Sequence, residues 1–291
     1  MITGSTASGV AVGVNGTPSS DAAIRWATQE AAMRNEALTL ISVFGMQHVH
    51  THDEELREEI YQWRERQAEI LLEKALQLAQ AVPDAQAKVR TRTHIEYGHP
   101  VPGLIEASKN MRMLVVGSRG LHQLDRVFLG SVSTGVLHHA RGPVAVIRDG
   151  YDVDRGAPVV LGVDGSPASE AAIAIAFDEA SQREAPLIAI HAWGVRSFFG
   201  PDVDPDALEG EAKEILAERL AGWQERYPDV HVVRRVVGEL PDQHLIEAST
   251  RAQLVVLGSH GRGGFTGMML GSVSSAVVHG IDAPAIVVRP S

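Results

Sequence analysis

The stretch Leu114–Gly120 (Leu-Val-Val-Gly-Ser-Arg-Gly) returns later in the chain as Val255–Gly261 (Val-Val-Leu-Gly-Ser-His-Gly). In both places a continuously apolar run ends at a glycine. A run that is apolar at every position is typical of a strand that helices cover on both faces, as in a parallel sheet. The stretch therefore favours an α/β domain that occurs twice in the chain.

Two further motifs repeat in the same order. Val14–Pro18 returns as Val163–Pro167, and Gly130–Ser133 returns as Gly271–Ser274. The period at which the motifs return is too long for a solenoid repeat, and each copy has about the size of one domain. We therefore predict two tandem domains, 1–150 and 151–291, that meet at a polar, glycine-bearing segment.

Within each copy, apolar runs rich in β-formers alternate with helical patterns. This alternation predicts two doubly wound α/β domains, each a parallel sheet with helices on both faces. The predicted strands are Val10–Val14, Leu38–Phe44, Val89–Ile95, Met113–Val116 and Val144–Ile147, then Val159–Val163, Leu187–Trp193, Val230–Val237, Leu254–Leu257 and Ala285–Val288. The predicted helices include Ser19–Arg34, Glu54–Gln80 and Ala207–Arg226.

Composition excludes several classes of protein. The net charge of −10 argues against nucleic acid or an anionic membrane as the main partner, since both require a basic surface. The absence of cysteine excludes disulfides and thiolate chemistry. No apolar run approaches the length of a membrane span, and the N-terminus lacks the pattern of a secretory signal. We therefore expect a cytoplasmic protein with no membrane span.

The glycines of the repeated loop have a spacing that suits phosphate binding. Gly117-x-x-Gly120 is followed by nine residues and then by Gly130-Ser131, which opens a helix. A glycine lets a ligand approach the backbone closely, and free N–H groups at a helix start attract anions. The hydroxyls of Ser131 and Ser133 and the cation of Arg119 add donors. In the second copy the same roles fall to Gly258, His260, Gly261, Arg262, Gly271, Ser272 and Ser274.

Two other features bear on this interpretation. The loop is not a Walker A motif, because no Gly-Lys-Ser/Thr follows, and the glycines alone are also compatible with plain tight turns. Asn15 and Asp164 end the first strands, where an oxygen can accept bonds from ribose hydroxyls or can cap an Asx turn. If the strand order is 3-2-1-4-5, the first and fourth strands flank the crevice where such sheets bind ligands.

Taken together, these motifs resemble the ATP-binding branch of the universal stress protein family, in the tandem-domain form of mycobacteria and related actinobacteria. The resemblance rests on Gly-x-x-Gly, nine residues, Gly-Ser/Thr, which both copies satisfy, and on Val-Asp-Gly-Ser, which reads Val14-Asn15-Gly16-Thr17 in the first copy and Val163-Asp164-Gly165-Ser166 in the second. Asn15 departs from the usual aspartate, so the two ribose contacts are expected to differ.

The resemblance implies a five-stranded parallel sheet of order 3-2-1-4-5 and one ATP per domain, with or without Mg. Adenine would meet Val43 or Ala192, and ribose would meet Asn15 or Asp164. The candidate binding residues are Gly13, Asn15, Val43, Gly117, Arg119, Gly120, Gly130, Ser131, Val132 and Ser133, then Gly162, Asp164, Ala192, Gly258, His260, Gly261, Arg262, Gly271, Ser272, Val273 and Ser274. The family also implies pairing of the two domains through their fifth strands, and a homodimer.

Three functions stay open at this point. The first is a nucleotide-binding regulator with a role in stress response. The second is a weak ATP hydrolase or a nucleotidyl-transfer enzyme, although neither glycine loop shows a repeated Asp or Glu. The third is an interaction module whose pockets are empty or hold cAMP.

Several residues outside these motifs have plainer interpretations. His48, His50 and His52 form a short histidine tract, but their alternate spacing fits no common structural zinc site and favours a solvated loop. We expect the four tryptophans, Trp26, Trp63, Trp193 and Trp223, to pack against helices or strands. The charges of 54–73 indicate a solvated helix face or a dimer surface.

Overall fold

The computed structural model describes residues 9–45, 53–83, 89–119, 129–151, 154–193, 205–261 and 270–289. The chain divides into two compact units, Met1–Gly150 and Tyr151–Ser291, which we name domain 1 and domain 2. Among the residues in these ranges, no helix combines the length and the apolar content that crossing a bilayer requires.

Both domains alternate strands with helices. Domain 1 contains β1 (Val10–Gly13), α1 (Pro18–Met33), β2 (Leu38–Phe44), α2 (Glu54–Gln80), β3 (Thr91–Tyr97), α3 (Pro100–Ala107), β4 (Met113–Gly117), α4 (Ser131–His139) and β5 (Val144–Ile147). Domain 2 contains β6 (Val159–Val163), α5 (Pro167–Gln182), β7 (Leu187–Ala192), α6 (Pro205–Arg226), β8 (Val232–Val237), α7 (Pro241–Ser249), β9 (Leu254–Gly258), α8 (Ser272–Gly280) and β10 (Ala285–Val288).

The strand order confirms the predicted fold class. Domain 1 has the order β3-β2-β1-β4-β5, and domain 2 has β8-β7-β6-β9-β10. The pairs are parallel: β1 lies between β2 and β4, so that Val10 is opposite both Leu38 and Met113. In domain 2, Val159 is opposite both Leu187 and Leu254. The pairing of the two domains through their fifth strands stays a prediction.

Central strands and edge strands differ in exposure, as their sequences predict. The residues of β4 from Met113 to Val116 are buried, and so are Val10, Ala11 and Val12 of β1. The outer strand β3 is mostly exposed, and it spans Thr91–Tyr97 rather than the predicted Val89–Ile95. An edge strand lacks the continuous apolar run that fixes the bounds of a central one, which explains the shift.

The two copies differ most in their second helices. Helix α2 has 27 residues, whereas α6 has 22. The connection that follows is also longer in domain 1, where it spans 81–90, than in domain 2, where it spans 227–231. The extra length of the first copy therefore lies in α2 and after it.

The glycines that end β4 and β9 let a helix pack directly on the strand. A Cβ on Gly117 would lie 2.7 Å from the backbone carbonyl of Ser19, and a Cβ on Gly258 would lie 2.7 Å from the carbonyl carbon of Ala168. Ser19 and Ala168 belong to the first turns of α1 and α5. A side chain at either glycine would therefore displace the start of a helix.

We expect Gly258→Ala to destabilise domain 2 by about 1–3 kcal/mol, because the added methyl meets backbone that cannot retreat. Urea unfolding checks this. Gly222→Ala is the matched control, since a Cβ there has no neighbour within 4 Å and lies inside α6. It should be neutral or stabilise by up to about 1 kcal/mol. Equal stability of Gly258→Ala and the unchanged protein would contradict the close approach.

Candidate functional site

The predicted ligand residues gather at the carboxyl ends of the central strands. In domain 1, β1 and β4 run side by side and end at Gly13 and Gly117. In domain 2, β6 and β9 end at Val163 and Gly258. Strand order reverses between these neighbours, and ligands of open parallel sheets bind in the crevice at such a point.

In domain 2 these residues line one cleft of ≈ 430 Å³. The sequence-predicted residues that it brings together are Gly162, Asp164, Ala192, Gly258, His260, Gly261, Gly271, Ser272, Val273 and Ser274. Sequence reasoning missed the other lining residues, Val163, Ser169, Ile190, Pro241, Leu245 and Leu257. Of these, Pro241 and Leu245 belong to α7, a short helix that its leading proline and its apolar spacing could have indicated.

The first turn of α8 forms one wall of this cleft. Gly271 is the N-cap of the helix, and no side chain among the described residues caps it. By contrast, the hydroxyl of Ser166 at the N-cap of α5 accepts a bond from the N–H of Ser169 at 3.2 Å. The first N–H groups of α8 therefore receive no side-chain cap, which makes this end of the helix suitable for an anion.

The glycine loop holds its own helix in place. The N–H of Gly271 donates to the carbonyl of Ser259 at 2.7 Å, and the hydroxyl of Ser274 donates to the carbonyl of Gly258 at 2.6 Å. Ser274 is buried, whereas Ser272 is exposed. The Ser274 hydroxyl thus fixes the loop, and Ser272 is the hydroxyl that faces solvent.

Domain 1 repeats this arrangement. Gly130 is the uncapped N-cap of α4, and its N–H donates to the carbonyl of Ser118 at 2.7 Å. The buried hydroxyl of Ser133 donates to the carbonyls of Ser118 at 3.1 Å and Gly130 at 2.9 Å. Ser131 is exposed and Val132 is half-buried. The Ser133 hydroxyl thus stabilises the loop, and its predicted contact with phosphate stays a prediction.

Asn15 and Asp164 both form the turn that the sequence allowed as an alternative role. Asp164 Oδ1 accepts from the N–H of Ser166 at 3.0 Å, and Asn15 Oδ1 accepts from both the N–H and the hydroxyl of Thr17, at 3.1 and 2.8 Å. The other oxygen, Asp164 Oδ2, lies 2.7 Å from where a Cβ on Gly261 would be. Asp164 therefore turns a second acceptor toward the glycine loop, whereas Asn15 has an amide donor in its place.

The residues between the two loop glycines also differ. His260 Nδ1 and the hydroxyl of Ser259 form a hydrogen bond of 2.8 Å, and the His260 carbonyl accepts from Ser166 Oγ at 2.9 Å. Its Nε2 is buried and makes no hydrogen bond with the residues that the structure describes. In domain 1 the corresponding Arg119 is paired with Asp149 instead.

Asp149 follows β5 and binds two partners in domain 1. Its Oδ1 accepts from the Arg119 guanidinium and from the hydroxyl of Ser19 at 3.0 Å. Partial burial acts to raise the pKa of the Asp149 carboxyl, but the bonds from Arg119 and Ser19 outweigh it and hold the pKa below its usual value. A neighbouring carboxylate thus already balances the charge of Arg119.

The remaining predicted residues lie in several places. Val43, near the end of β2, packs under α3, since a Cβ on Gly103 would lie 2.9 Å from Val43 Cγ1. Gly120, Arg262 and the histidine tract 48–52 lie outside the described residues. Within the described ranges, no group of three or more His, Cys, Asp or Glu side chains could hold a metal ion.

We expect Asp149→Asn to destabilise domain 1 at pH 7 by up to about 1 kcal/mol, the range of partly exposed ion pairs. Because the folded pKa is depressed, this contribution is present above the unfolded pKa of about 3.9 and is lost as pH falls through the folded value. Thermal unfolding from pH 7 to pH 3 should therefore show the difference shrinking. The double variant Asp149→Asn with Arg119→Met should lose no more stability than either single variant. Additive losses of stability would show that the pair does not interact.

The chain has relatives along its whole length. The pattern of the Universal stress protein family matches residues 9–148 and again 157–289. A universal stress protein of Mycobacterium tuberculosis is 46% identical over 97% of each chain. One of Mycolicibacterium smegmatis is 44% identical over 100% of each.

Solved structures share the fold. A universal stress protein from Archaeoglobus fulgidus superposes with a TM-score of 0.69 at 21% identity, covering 99% of this chain and 98% of that one. Identity at this level speaks for the fold alone. With the family pattern matched twice and full-length relatives above 40% identity, the chain belongs to the universal stress protein family and carries two of its domains in tandem.

Proposed function

We propose that each domain binds one ATP at the crevice between its first and fourth strands, and that occupancy of the two sites regulates the protein in a stress response. The observation that carries this proposal is the cleft of domain 2, which has an uncapped helix N-terminus at one end and an apolar slot at the other. A nucleotide needs the first environment for its phosphates and the second for its flat base, with a group between them that recognises the sugar.

The phosphate end is formed by backbone. The N–H groups of Ser272, Val273 and Ser274 open α8 beneath an N-cap glycine, and the helix dipole adds partial positive charge there. A Cβ on Gly271 would lie 3.3 Å from both His260 Cα and Ser259 O, so glycine keeps the loop close to the helix start. His260 adds an imidazole whose buried Nε2 has no hydrogen-bond partner among the described residues.

The base end is apolar. Ile190, Leu245 and Leu257 line it, together with Ala192 at the end of β7 and Pro241 at the start of α7. Gly162 is required there, because a Cβ would lie 2.9 Å from Leu257 Cδ2 and 3.3 Å from Leu245 Cδ1. An adenine ring can fill such a slot and bond to the strand-end backbone, which is how most small-molecule sites combine burial with orientation.

The sugar is recognised between these ends by Asp164. Its Oδ1 is held by Ser166, and its Oδ2 faces the loop at Gly261. A ribose hydroxyl that donates to a carboxylate makes a charge-assisted bond, about twice as strong as a neutral one. A nucleotide such as ATP can offer both ribose hydroxyls to this carboxylate, whereas cAMP keeps only its 2′-hydroxyl because its phosphate ring occupies the 3′-oxygen.

Domain 1 has the same phosphate end with a different sugar contact. Gly130, Ser131 and Val132 open α4 without a side-chain cap, as in domain 2. Asn15 offers an amide in place of the carboxylate, and Arg119 is bound by Asp149. We therefore propose two sites of unequal affinity, with domain 2 the tighter, so that the chain responds to nucleotide over a wider concentration range than one site would.

We expect Ser272→Asp to abolish ATP binding in domain 2 and Ser131→Asp to do so in domain 1. Both serines are exposed at the first helical position, where a carboxylate favours the helix and repels phosphate. Isothermal titration of nucleotide-stripped protein should give two sites in the unchanged chain and one in each variant. The uncharged variants Ser272→Asn and Ser131→Asn should keep both.

The same titration discriminates the other functions. Absence of heat with ATP would overturn the proposal, as would tighter binding of cAMP than of ATP. Phosphate release over many turnovers, lost in the Ser272→Asp and Ser131→Asp double variant, would replace the regulatory role with hydrolysis.

We expect Asp164→Asn to weaken ATP binding in domain 2 by about tenfold, the cost of replacing one charge-assisted bond with a neutral one. Asn15→Asp should strengthen ATP binding in domain 1 by the same factor. Measuring one domain at a time, with the other blocked by its serine-to-aspartate change, separates the two affinities. Unchanged affinity in both variants would show that this position does not meet the sugar.

A further inference from the structure

Helix α2 carries three large apolar side chains on its outer face. Leu56, Trp63 and Ile70 are 45%, 57% and 46% exposed. They follow one another at intervals of seven residues, close to two helical turns, so they align in one stripe, which we name the α2 stripe. Trp63, which was expected to pack against a helix or strand, is thus more than half exposed. The helix buries the opposite side, at Ala68, Leu72, Ala75 and Ala79.

The corresponding helix of domain 2 gives an internal comparison. Gly16 and Gly165 occupy the same turn in the two domains, and each lies against the second helix. A Cβ on Gly16 would lie 3.0 Å from Leu71 Cδ1, and a Cβ on Gly165 would lie 2.8 Å from Arg219 Cζ. Leu71 of α2 therefore corresponds to Arg219 of α6, which aligns the two helices residue by residue.

This alignment places carboxylates where the stripe is apolar. Trp63 corresponds to Glu211, and Ile70 corresponds to Glu218, both of them exposed. The fold thus accepts charge at these positions. Three exposed apolar side chains on a helix that does not need them indicate a surface that another molecule covers.

We propose that the α2 stripe is the interface with a second copy of this chain, with the two α2 helices packed antiparallel. A two-fold axis between Gln62 and Trp63 brings Leu56 of one copy beside Ile70 of the other, within about one residue rise of 1.5 Å. The same axis places Trp63 against Trp63. The stripe is therefore complementary to itself in this direction.

Charge supports the same arrangement. Glu59 and Arg66 are exposed and lie on the same flank of the stripe, roughly 40–60° around the helix from Trp63. The proposed two-fold axis places identical flanks together and brings Glu59 of each copy beside Arg66 of the other. A parallel arrangement would instead place this flank of one helix against the opposite flank of the other. That opposite flank carries Ile60 and Gln67 and offers no charged partner.

The contact is small. One helix face falls well below the ≈ 800 Å² per partner that stable complexes bury. We therefore expect a dimer that dissociates on dilution. This interface does not depend on nucleotide, so its test is independent of the ATP titration.

Sedimentation equilibrium of the nucleotide-stripped full chain tests the proposal. The unchanged chain should dimerise with rising concentration, and Trp63→Glu with Ile70→Glu, which copies the residues of α6, should stay monomeric with an unchanged circular dichroism spectrum. Glu211→Gln with Glu218→Gln in α6 is the control and should dimerise like the unchanged chain. An unchanged chain that is monomeric up to its solubility limit would overturn the proposal, as would a dimer that survives the α2 changes.

Charge reversal tests the direction of packing. Glu59→Arg alone places two arginines together at each end and should weaken the dimer several-fold, the range of exposed ion pairs. Arg66→Glu alone should do the same. The double variant exchanges the charges and should restore the original affinity. Additive weakening in the double variant would overturn the antiparallel interface.

Discussion

The contact of a helix start with a strand-end glycine is the constraint on which each domain depends. At Gly117 and Gly258 the chain has no side chain, and the first turn of α1 or α5 occupies that space. The next residue, Ser118 or Ser259, then joins two more elements. The N–H of Ser118 donates to the carbonyl of Ile147 in β5 at 2.7 Å, and its carbonyl accepts from Gly130 at the start of α4. Two adjacent residues thus position both helix starts and the last strand.

This arrangement explains why the two domains can agree in their loops and differ beside them. The backbone geometry at Ser118 and Ser259 is the same, since Ser259 likewise bonds Val288 at 2.8 Å and Gly271 at 2.7 Å. Side chains around this shared backbone can change without moving it. Arg119 takes a carboxylate partner that follows β5, whereas His260 bonds its neighbour Ser259. Close packing fixes this shared backbone, and side chains that point away from it set the chemistry of each site.

The sequence predicted the central strands, and the residues that share the cleft of domain 2, better than the edge strands. Leu114–Val116 is apolar at each position and is followed by Gly117. The sequence therefore marks both the burial of β4 and the place where it ends. The outer strand β3 and the apolar wall at Leu245 gave weaker signals, because edge strands and short helices contribute few apolar residues to a pattern. The bonds that Ser133 and Ser274 make to loop carbonyls were not predicted, for another reason. A hydroxyl near a loop can serve the ligand or the loop carbonyls, and only the bond geometry decides.

The strand order also has a consequence for the time at which each crevice comes into being during synthesis. The first strand of domain 1, β1, becomes the centre of its sheet, and β2 and β3 extend it in one direction. The crevice needs β4 on the other side of β1, so it cannot form until more than a hundred residues of domain 1 have emerged. Because β5 precedes every strand of domain 2, the first sheet can be completed before the second has emerged. The crevice of the first half can therefore form while the second half is still being translated.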